Sequence, residues 1–274
     1  MNSDFFVIFS LSRAGSSALF RALNAHSQIQ CLYEPTFFSA GWDERKVCAR
    51  VREIRKEHSG IKHVWDPSGW PFVNSHISTV DSMKYRYNDV LRVNKSLLAM
   101  EGQKVLFLRR RSELARVLSD QLGQQTNVWT PAFPAFQKAQ IENVITDAEH
   151  FKKSVRSRVI KPVDMDVIAW YLENTRAMEQ EYRTSLSDEH RMDLWYEELF
   201  DPSLTSLARQ KIFEDILKFL GFSAARELWD AQEIEAIFDP GGKLNDATTL
   251  GRIPNIDEIR NRFQSEWTEI GYLR

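Results

Sequence analysis

A chain of 274 residues is long enough for one large α/β domain or two small ones. Hydrophobic residues make up 43% and charged residues 27%, and 36 basic against 38 acidic side chains leave a formal net charge of −2. That near-balance excludes bulk electrostatic binding to nucleic acid or a membrane surface, but allows a local basic pocket. The two cysteines, Cys31 and Cys48, fit neither a disulfide framework nor a metal spacing, which predicts a reducing, cytoplasmic compartment. No apolar run approaches the roughly 18 residues that cross a bilayer. The N-terminus lacks a basic region followed by an apolar core, and the first strand begins so close to Met1 that no leader is expected.

In chain order, Phe5-Phe6-Val7-Ile8-Phe9 predicts a buried parallel strand. A turn rich in Ser and Gly follows, Ser10 to Ser17, and apolar spacing from Ala18 to Leu23 predicts a helix opening within it. Further strands are predicted at Ile29–Tyr33, Ile61–Trp65, Lys104–Leu108 and Met192–Tyr196. Helices are predicted at Asp43–His58, Ser82–Met100, Ser112–Leu122, Asp164–Tyr182 and Leu207–Leu220, the last closed by Gly221. Breakers mark loops at Asp66–Pro71 and Thr130–Pro134. Residues 126–162 read as an insertion or lid, and the tail from Asp239 begins as a Gly-rich loop and ends in a helix near Ile256–Trp267. No internal repeat is visible. Strands alternating with helices predict a parallel sheet covered on both faces, with ligands beyond the carboxyl ends of the strands. Arg13, Glu34, the region around His63 and Arg109–Arg111 all fall at such ends.

A strand feeding a helix through a small-residue loop gathers free backbone N–H groups, the positive helix end and hydroxyls at one spot, which is an anion site. Arg13 adds a forked cationic donor set. The plain alternative is an ordinary turn with a serine cap. A Walker A loop is ruled out, because Gly-Lys-Ser/Thr is missing. A second basic cluster, Arg109-Arg110-Arg111, stands at a strand exit with Ser119 eight or nine residues beyond Arg111 and Arg110. Basic residues at a helix start oppose its dipole, and an anionic ligand would relieve that conflict; the alternative is a solvated basic helix start.

Ser12-Arg13-Ala14-Gly15-Ser16-Ser17 resembles the 5′-phosphosulfate loop of sulfotransferases that use 3′-phosphoadenosine 5′-phosphosulfate (PAPS). That loop usually reads Pro-Arg/Lys-Ser-Gly-Ser/Thr-Ser/Thr, so Ser12 and Ala14 depart from it. The Arg109–Ser119 stretch resembles the family's 3′-phosphate motif, with Arg110 and Arg111 both candidates and Arg111 preferred. Leu194–Leu199 with Phe213–Phe222 resembles the family's Tyr-Glu-Asp-Leu strand and Phe-Leu-Gly helix end. Arg252–Ile259 resembles its C-terminal Ile-x-Asn-x-x-Glu segment. These four patches lie in the family's order, while 40–100 and 126–190 match weakly.

The resemblance implies a single domain over 1–274, a P-loop-like three-layer αβα sandwich with a central parallel sheet and a helical insertion or lid. Residues 126–190 would form the helical acceptor side, and 239–274 would cover the nucleotide. It implies sulfuryl transfer to a hydroxyl or amine of a small molecule or carbohydrate, with 3′,5′-adenosine bisphosphate (PAP) as product and no metal. The donor contacts would be Arg13, Ala14, Gly15, Ser16, Ser17, Arg110, Arg111, Ser119 and, in a basic Gly-containing loop, Lys243. Membrane-anchored members carry an N-terminal span, which is not expected here, and neither nucleic acid nor stable membrane insertion is implied.

For the base, a Glu-Pro after the second strand marks several members, and it matches Glu34-Pro35 here. Pro35 biases Glu34 to an extended conformation at the strand end. Its alternative role is a structural carboxylate paired with Arg13 or another pocket arginine. The cytosolic branch uses a His after a Lys-bearing strand, which leaves Lys62-His63 as the runner-up; a lone His there also reads as a satisfied polar group. Trp70 and Trp129 are the aromatic candidates for acceptor contact. Two other readings are a P-loop-like small-molecule kinase using ATP and an inactive nucleotide-binding module.

Overall fold

A computed structural model describes residues 5–35, 43–66, 80–126, 159–201, 203–238 and 247–268. Lys243, Trp70, Trp129 and the breaker loop Thr130–Pro134 lie outside them. Contacts divide the chain into two compact units, one of Met1–Arg111 with Glu173–Pro240 and one of Ser112–Leu172 with Gly241–Arg274.

The first unit holds the sheet. Its strands are β1 (Phe5–Ser10), β2 (Cys31–Tyr33), β3 (Gly60–Val64), β4 (Gln103–Arg109) and β5 (Arg191–Trp195). They are all parallel, in the order β2-β3-β1-β4-β5. Every residue of β1 is buried, as a strand with a neighbour on each side and helices on each face must be. Alternation then splits its side chains between two cores. Phe6 and Ile8 pack with α1 (Ser16–Asn24), α7 (Ser206–Leu220) and α8 (Ala231–Ile237), around Leu19, Phe213, Leu217 and Ile234. Phe5, Val7 and Phe9 pack on the other face with α2 (Glu44–Ile54), α3 (Val80–Leu98) and the later part of α5 (Met165–Thr184), around Val51, Val93, Met178 and Tyr182. The expected α/β class, a sheet between two helical layers, is therefore present.

The chain leaves β1 for β2 on one side and later returns to β4 on the other. The order reverses at β1, which is where an open α/β sheet opens a crevice at its carboxyl end. Two elements end differently from expectation. The late strand stops at Trp195, and Tyr196–Leu199 forms a single helical turn, α6, instead of continuing it. The second strand shortens to Cys31–Tyr33, because Ile29 N–H closes a turn onto the His26 carbonyl at 2.9 Å. Gly221 closes α7 as expected: its φ is 80°, and Phe222 N–H reaches back to the Leu217 carbonyl at 2.9 Å.

The second unit contains α4 (Glu113–Thr126), the start of α5, and α9 (Ala247–Leu250), α10 (Ile256–Arg262) and α11 (Gln264–Thr268). Asn255 ties its parts together. Its amide donates to the Val163 carbonyl at 2.9 Å, and its carbonyl accepts from Val163 N–H at 3.0 Å. The Asn of the Arg252–Ile259 segment is thus engaged in fixing the entry to α5. Among the described residues, no helix is long and apolar enough to cross a membrane.

Candidate functional site

The loop after β1 sits at the point of order reversal. Arg13 has φ 64° and Gly15, the N-cap of α1, has φ 87°. Glycine is needed there twice over. Its φ is left-handed, and a Cβ would stand 2.8 Å from ring carbons of both Phe200 and Tyr196. Those rings are stacked on each other, 4.6 Å between centroids, and hold the loop from the β5 side. Gly15 brings no side chain to cap α1, and the first turn of α1 contains no acidic residue. The positive end of a nine-residue helix therefore lies beside Arg13, Ser16 and Ser17. Ala14 and Ser16 are buried, and Ser17 is half-buried.

Glu34 stands at the end of β2. Pro35 predicts an extended residue, but φ is 34°. The local preference is outweighed by an ion pair across the sheet, where the Lys62 Nζ of β3 donates to Glu34 Oε1. The ion pair is with this lysine, whereas the alternative, structural role of Glu34 names Arg13 or another pocket arginine as its partner. Lys62 lies opposite Tyr33 in the strand register, and its ammonium sits 4.0 Å from the Tyr33 ring centroid. The Tyr33 hydroxyl meets Ser17 Oγ at 3.2 Å. A continuous polar chain thus runs from Glu34 through Lys62 and Tyr33 to the loop hydroxyl of Ser17. Burial alone would pull the Lys62 ammonium down, but Glu34 and Tyr33 outweigh it and its pKa lies above the ordinary lysine value. Burial pushes the Tyr33 phenol up, with Lys62 opposing.

Strand alternation sends His63 to the opposite face from Lys62. It is 1% exposed, stacks on its register partner Phe9 at 5.6 Å, and its Nε2 lies 2.8 Å from Asn94 Oδ1. Asn94 in turn donates to the Tyr182 hydroxyl at 3.1 Å. Burial lowers the His63 pKa to about 4, although the Asn94 contact opposes the shift. His63 is therefore part of the α3-side core and is separated by the sheet from the Glu34–Lys62 pair.

The three consecutive arginines take three environments. Arg109 ion-pairs with Glu179 and lies 3.9 Å from the Trp195 ring centroid. Arg110 turns to the loop, its Nη1 donating to the Arg13 carbonyl at 3.2 Å and its guanidinium 4.7 Å from the Tyr196 ring. Arg111 is half exposed and ion-pairs with Glu198, while its backbone N–H donates to Glu197 Oε2 at 2.9 Å. Arg110 and Arg111 belong to the first unit and Ser119, buried on α4, to the second.

Of the residues picked out in the sequence, the structure brings Arg13, Ala14, Gly15, Ser16, Ser17 and Arg110 into one loop cluster. Hydrogen bonds join that cluster to Glu34. Sequence reasoning missed the part played by Lys62, Tyr33 and Tyr196. A lysine inside a buried strand was the available signal for Lys62, since such a charge needs a partner. Compared with models of known protein families and with curated proteins, the chain matches none.

Proposed function

We propose that this chain is a sulfotransferase that moves a sulfuryl group from PAPS to a hydroxyl or amine of a small-molecule or carbohydrate acceptor. One observation carries the reading. The two non-glycine residues with left-handed backbone among the described residues are Arg13 and Glu34, at the ends of β1 and β2, joined through Ser17, Tyr33 and Lys62. Strained backbone persists where surrounding contacts hold it, and it concentrates at functional sites.

In this reading the 5′-phosphosulfate lies against the N-terminus of α1. Arg13, the loop N–H groups, Ser16 and Ser17 hold it, and Arg110 braces the Arg13 backbone. The acceptor oxygen or nitrogen attacks sulfur in line, and the bond from sulfur to the bridging phosphate oxygen breaks. The electron pair stays on the leaving phosphate, and the acceptor's proton passes to the Glu34 carboxylate. Positioning and electrostatic stabilisation supply most of the rate, because the transition state is loose and its charge sits on peripheral and leaving oxygens. When Glu34 takes the proton, Lys62 becomes an unneutralised cation just as the leaving phosphate gains charge.

The Lys62 ion pair also favours a second reading, in which Glu34 is a structural carboxylate that only anchors the end of β2. Calorimetry with PAP, ATP and 5′-AMP on wild type and Glu34→Gln, followed by an acceptor screen with labelled donor, separates the readings. The sulfotransferase reading expects PAP to bind most tightly, and Glu34→Gln to keep that binding and lose turnover. A preference for ATP overturns the reading in favour of a kinase. Full turnover by Glu34→Gln leaves Glu34 structural.

A further inference from the structure

We infer that Tyr33 is a positioning residue for the loop after β1: its phenol donates to Ser17 Oγ and so commits the Ser17 proton to the anion at the opening of α1. That this anion is the 5′-phosphosulfate of the donor rests on the sulfotransferase reading. The sense of the bond between Tyr33 and Ser17 decides the matter. The two oxygens lie 3.2 Å apart, and either could donate. Each hydroxyl has one proton and two lone pairs. If Ser17 gave its proton to Tyr33, it would have none left for a ligand.

The ring of Tyr33 is clamped. The Lys62 ammonium lies 4.0 Å from its centroid, and the Phe20 ring meets it edge-on at 5.0 Å between centroids. Phe20 follows Ser17 by three residues on α1, so both contacts come from one helix face. With the ring held, only the direction of the phenol proton is left to choose, and hydroxyl dipoles orient in the local field. Burial apart, the strongest influence on the phenol is the attraction of Lys62 for negative charge, which exceeds the opposing push of Glu34. A net positive field draws the oxygen lone pairs toward Lys62 and turns the proton away from it. An ammonium has donors only and accepts no proton from the phenol. Ser17 Oγ is then the acceptor, and the dipoles of Tyr33 and Ser17 run outward from the cation, each polarising the next. The outer end belongs to the opening of α1. Backbone bonds of that helix begin with Ala18 and Leu19 N–H on the Gly15 carbonyl, at 3.0 and 3.2 Å, so Ser17 N–H is among the open donors of the first turn. The amide and the hydroxyl of one residue then serve the same anion.

The test is calorimetry with PAP on full-length wild type, Tyr33→Phe, Ser17→Ala, Ser17→Thr and the two combinations with Tyr33→Phe. Phenylalanine keeps the ring that Lys62 and Phe20 contact and removes only the hydroxyl. Ser17→Ala should weaken PAP binding by roughly tenfold or more, the worth of a hydrogen bond to a charged group. Tyr33→Phe should weaken it by roughly threefold or more, because the Ser17 proton is no longer committed. Tyr33→Phe should add nothing in the Ser17→Ala background and keep its effect in the Ser17→Thr background, where a hydroxyl remains. Without ligand it should melt within about 4 °C of wild type. Unchanged or tighter binding by Tyr33→Phe overturns the inference, because Ser17 would then be the donor to Tyr33. A full loss in the Ser17→Ala background, or a far lower ligand-free melting temperature, also overturns it, by showing that the hydroxyl only holds β2 in place. Inorganic pyrophosphate separates this failure from that of the sulfotransferase reading. If PAP does not bind wild type, yet pyrophosphate binds with the same pattern across the variants, the role of Tyr33 stands and the donor assignment falls. If PAP binds wild type in preference to ATP and 5′-AMP but the variants break the pattern, the role of Tyr33 falls alone. If neither ligand binds wild type, both are refuted.

Discussion

Replacing Glu34 by glutamine tests the ion pair and the chemistry together. The amide keeps the shape of the side chain but leaves the Lys62 ammonium, 1% exposed, without a carboxylate. Removing one partner of a buried pair costs about 3–5 kcal/mol, because the other charge is left uncompensated. Lys62→Met leaves instead a carboxylate whose side chain retains 21% exposure to water, so its cost should be smaller, about 1–2 kcal/mol. The double variant removes both charges and should lie within about 1 kcal/mol of wild type, far less than the sum of the two single losses, so the pair is strongly coupled. The pH dependence follows from the same pair. In wild type the raised Lys62 pKa gives a stabilisation that is whole below the ordinary lysine pKa. It is lost only as pH rises through the higher folded value, so it does not vary around neutrality. In Glu34→Gln burial prevails and drives that pKa down, so the variant should regain stability as pH rises from 7 towards about 10. Chemical denaturation of the four proteins across that range measures the cycle. Turnover with labelled donor should fall by roughly a hundred- to ten-thousandfold in Glu34→Gln if the carboxylate is the base. Additive single variants would refute the coupling, and undiminished turnover would refute the chemistry.

Arg13→Ala should lower turnover by on the order of a hundredfold with a much smaller loss of PAP affinity, since the leaving phosphate gains charge only in the transition state; steady-state kinetics beside calorimetry would expose the opposite split. Gly15→Ala and Gly221→Ala both force alanine into left-handed backbone, at φ 87° and 80°, but only the first meets rings at 2.8 Å, while the second meets nothing within 4 Å. The first should cost about 3 kcal/mol or more and the second about 1–2, and equal losses in denaturation would contradict the packing argument. His63, with its pKa lowered from 6.5 to about 4, stays neutral when folded while the unfolded chain takes up a proton; stability should fall by roughly 3 kcal/mol as pH drops from 6.5 to 4. His63→Gln should flatten that acid limb and leave turnover nearly intact, and a dead His63 variant beside an active Glu34→Gln would move the base to His63.

The sheet was legible because its strands are short apolar runs set between helical periods. Phe5–Phe9 is made of β-branched and aromatic residues throughout, and Lys104–Leu108 follows Gly102 with a run of Val, Leu and Phe. Boundaries shifted where local rules met tertiary contacts. Tyr196 reads as a strand residue until its ring is needed beneath Gly15, and there the chain turns into α6. The helix-opening loop of Arg13 to Ser17 was readable from residue types, because glycine and small hydroxyls between a strand and a helix mark a tight turn into the helix. The partner of Glu34 was not readable. Which cation reaches it depends on the register that sets Tyr33 opposite Lys62, and register is a property of the assembled sheet. His63 and Lys62 are neighbours in sequence, yet alternation assigns them to opposite faces once the strand is placed.

The central position of β1 also fixes the timing of assembly. Its edges pair with β3 and β4, Phe5 lying opposite Gln103, and the α1-side core is completed only by residues from β5, α7 and α8. During synthesis at about 5–20 residues per second, Phe6, Ile8 and Leu19 therefore wait on the order of ten seconds or more for Leu194, Phe213 and Leu217 to emerge. Until then β4 offers an open strand edge and one face of the nascent sheet is bare, which is the condition under which chains associate wrongly. Pairings this distant along the chain slow folding, because loop closure precedes any gain from contact. The segment Phe5–Leu19, which carries the loop on which the site is built, is thus made before β5, α7 and α8 and depends on them for its final packing.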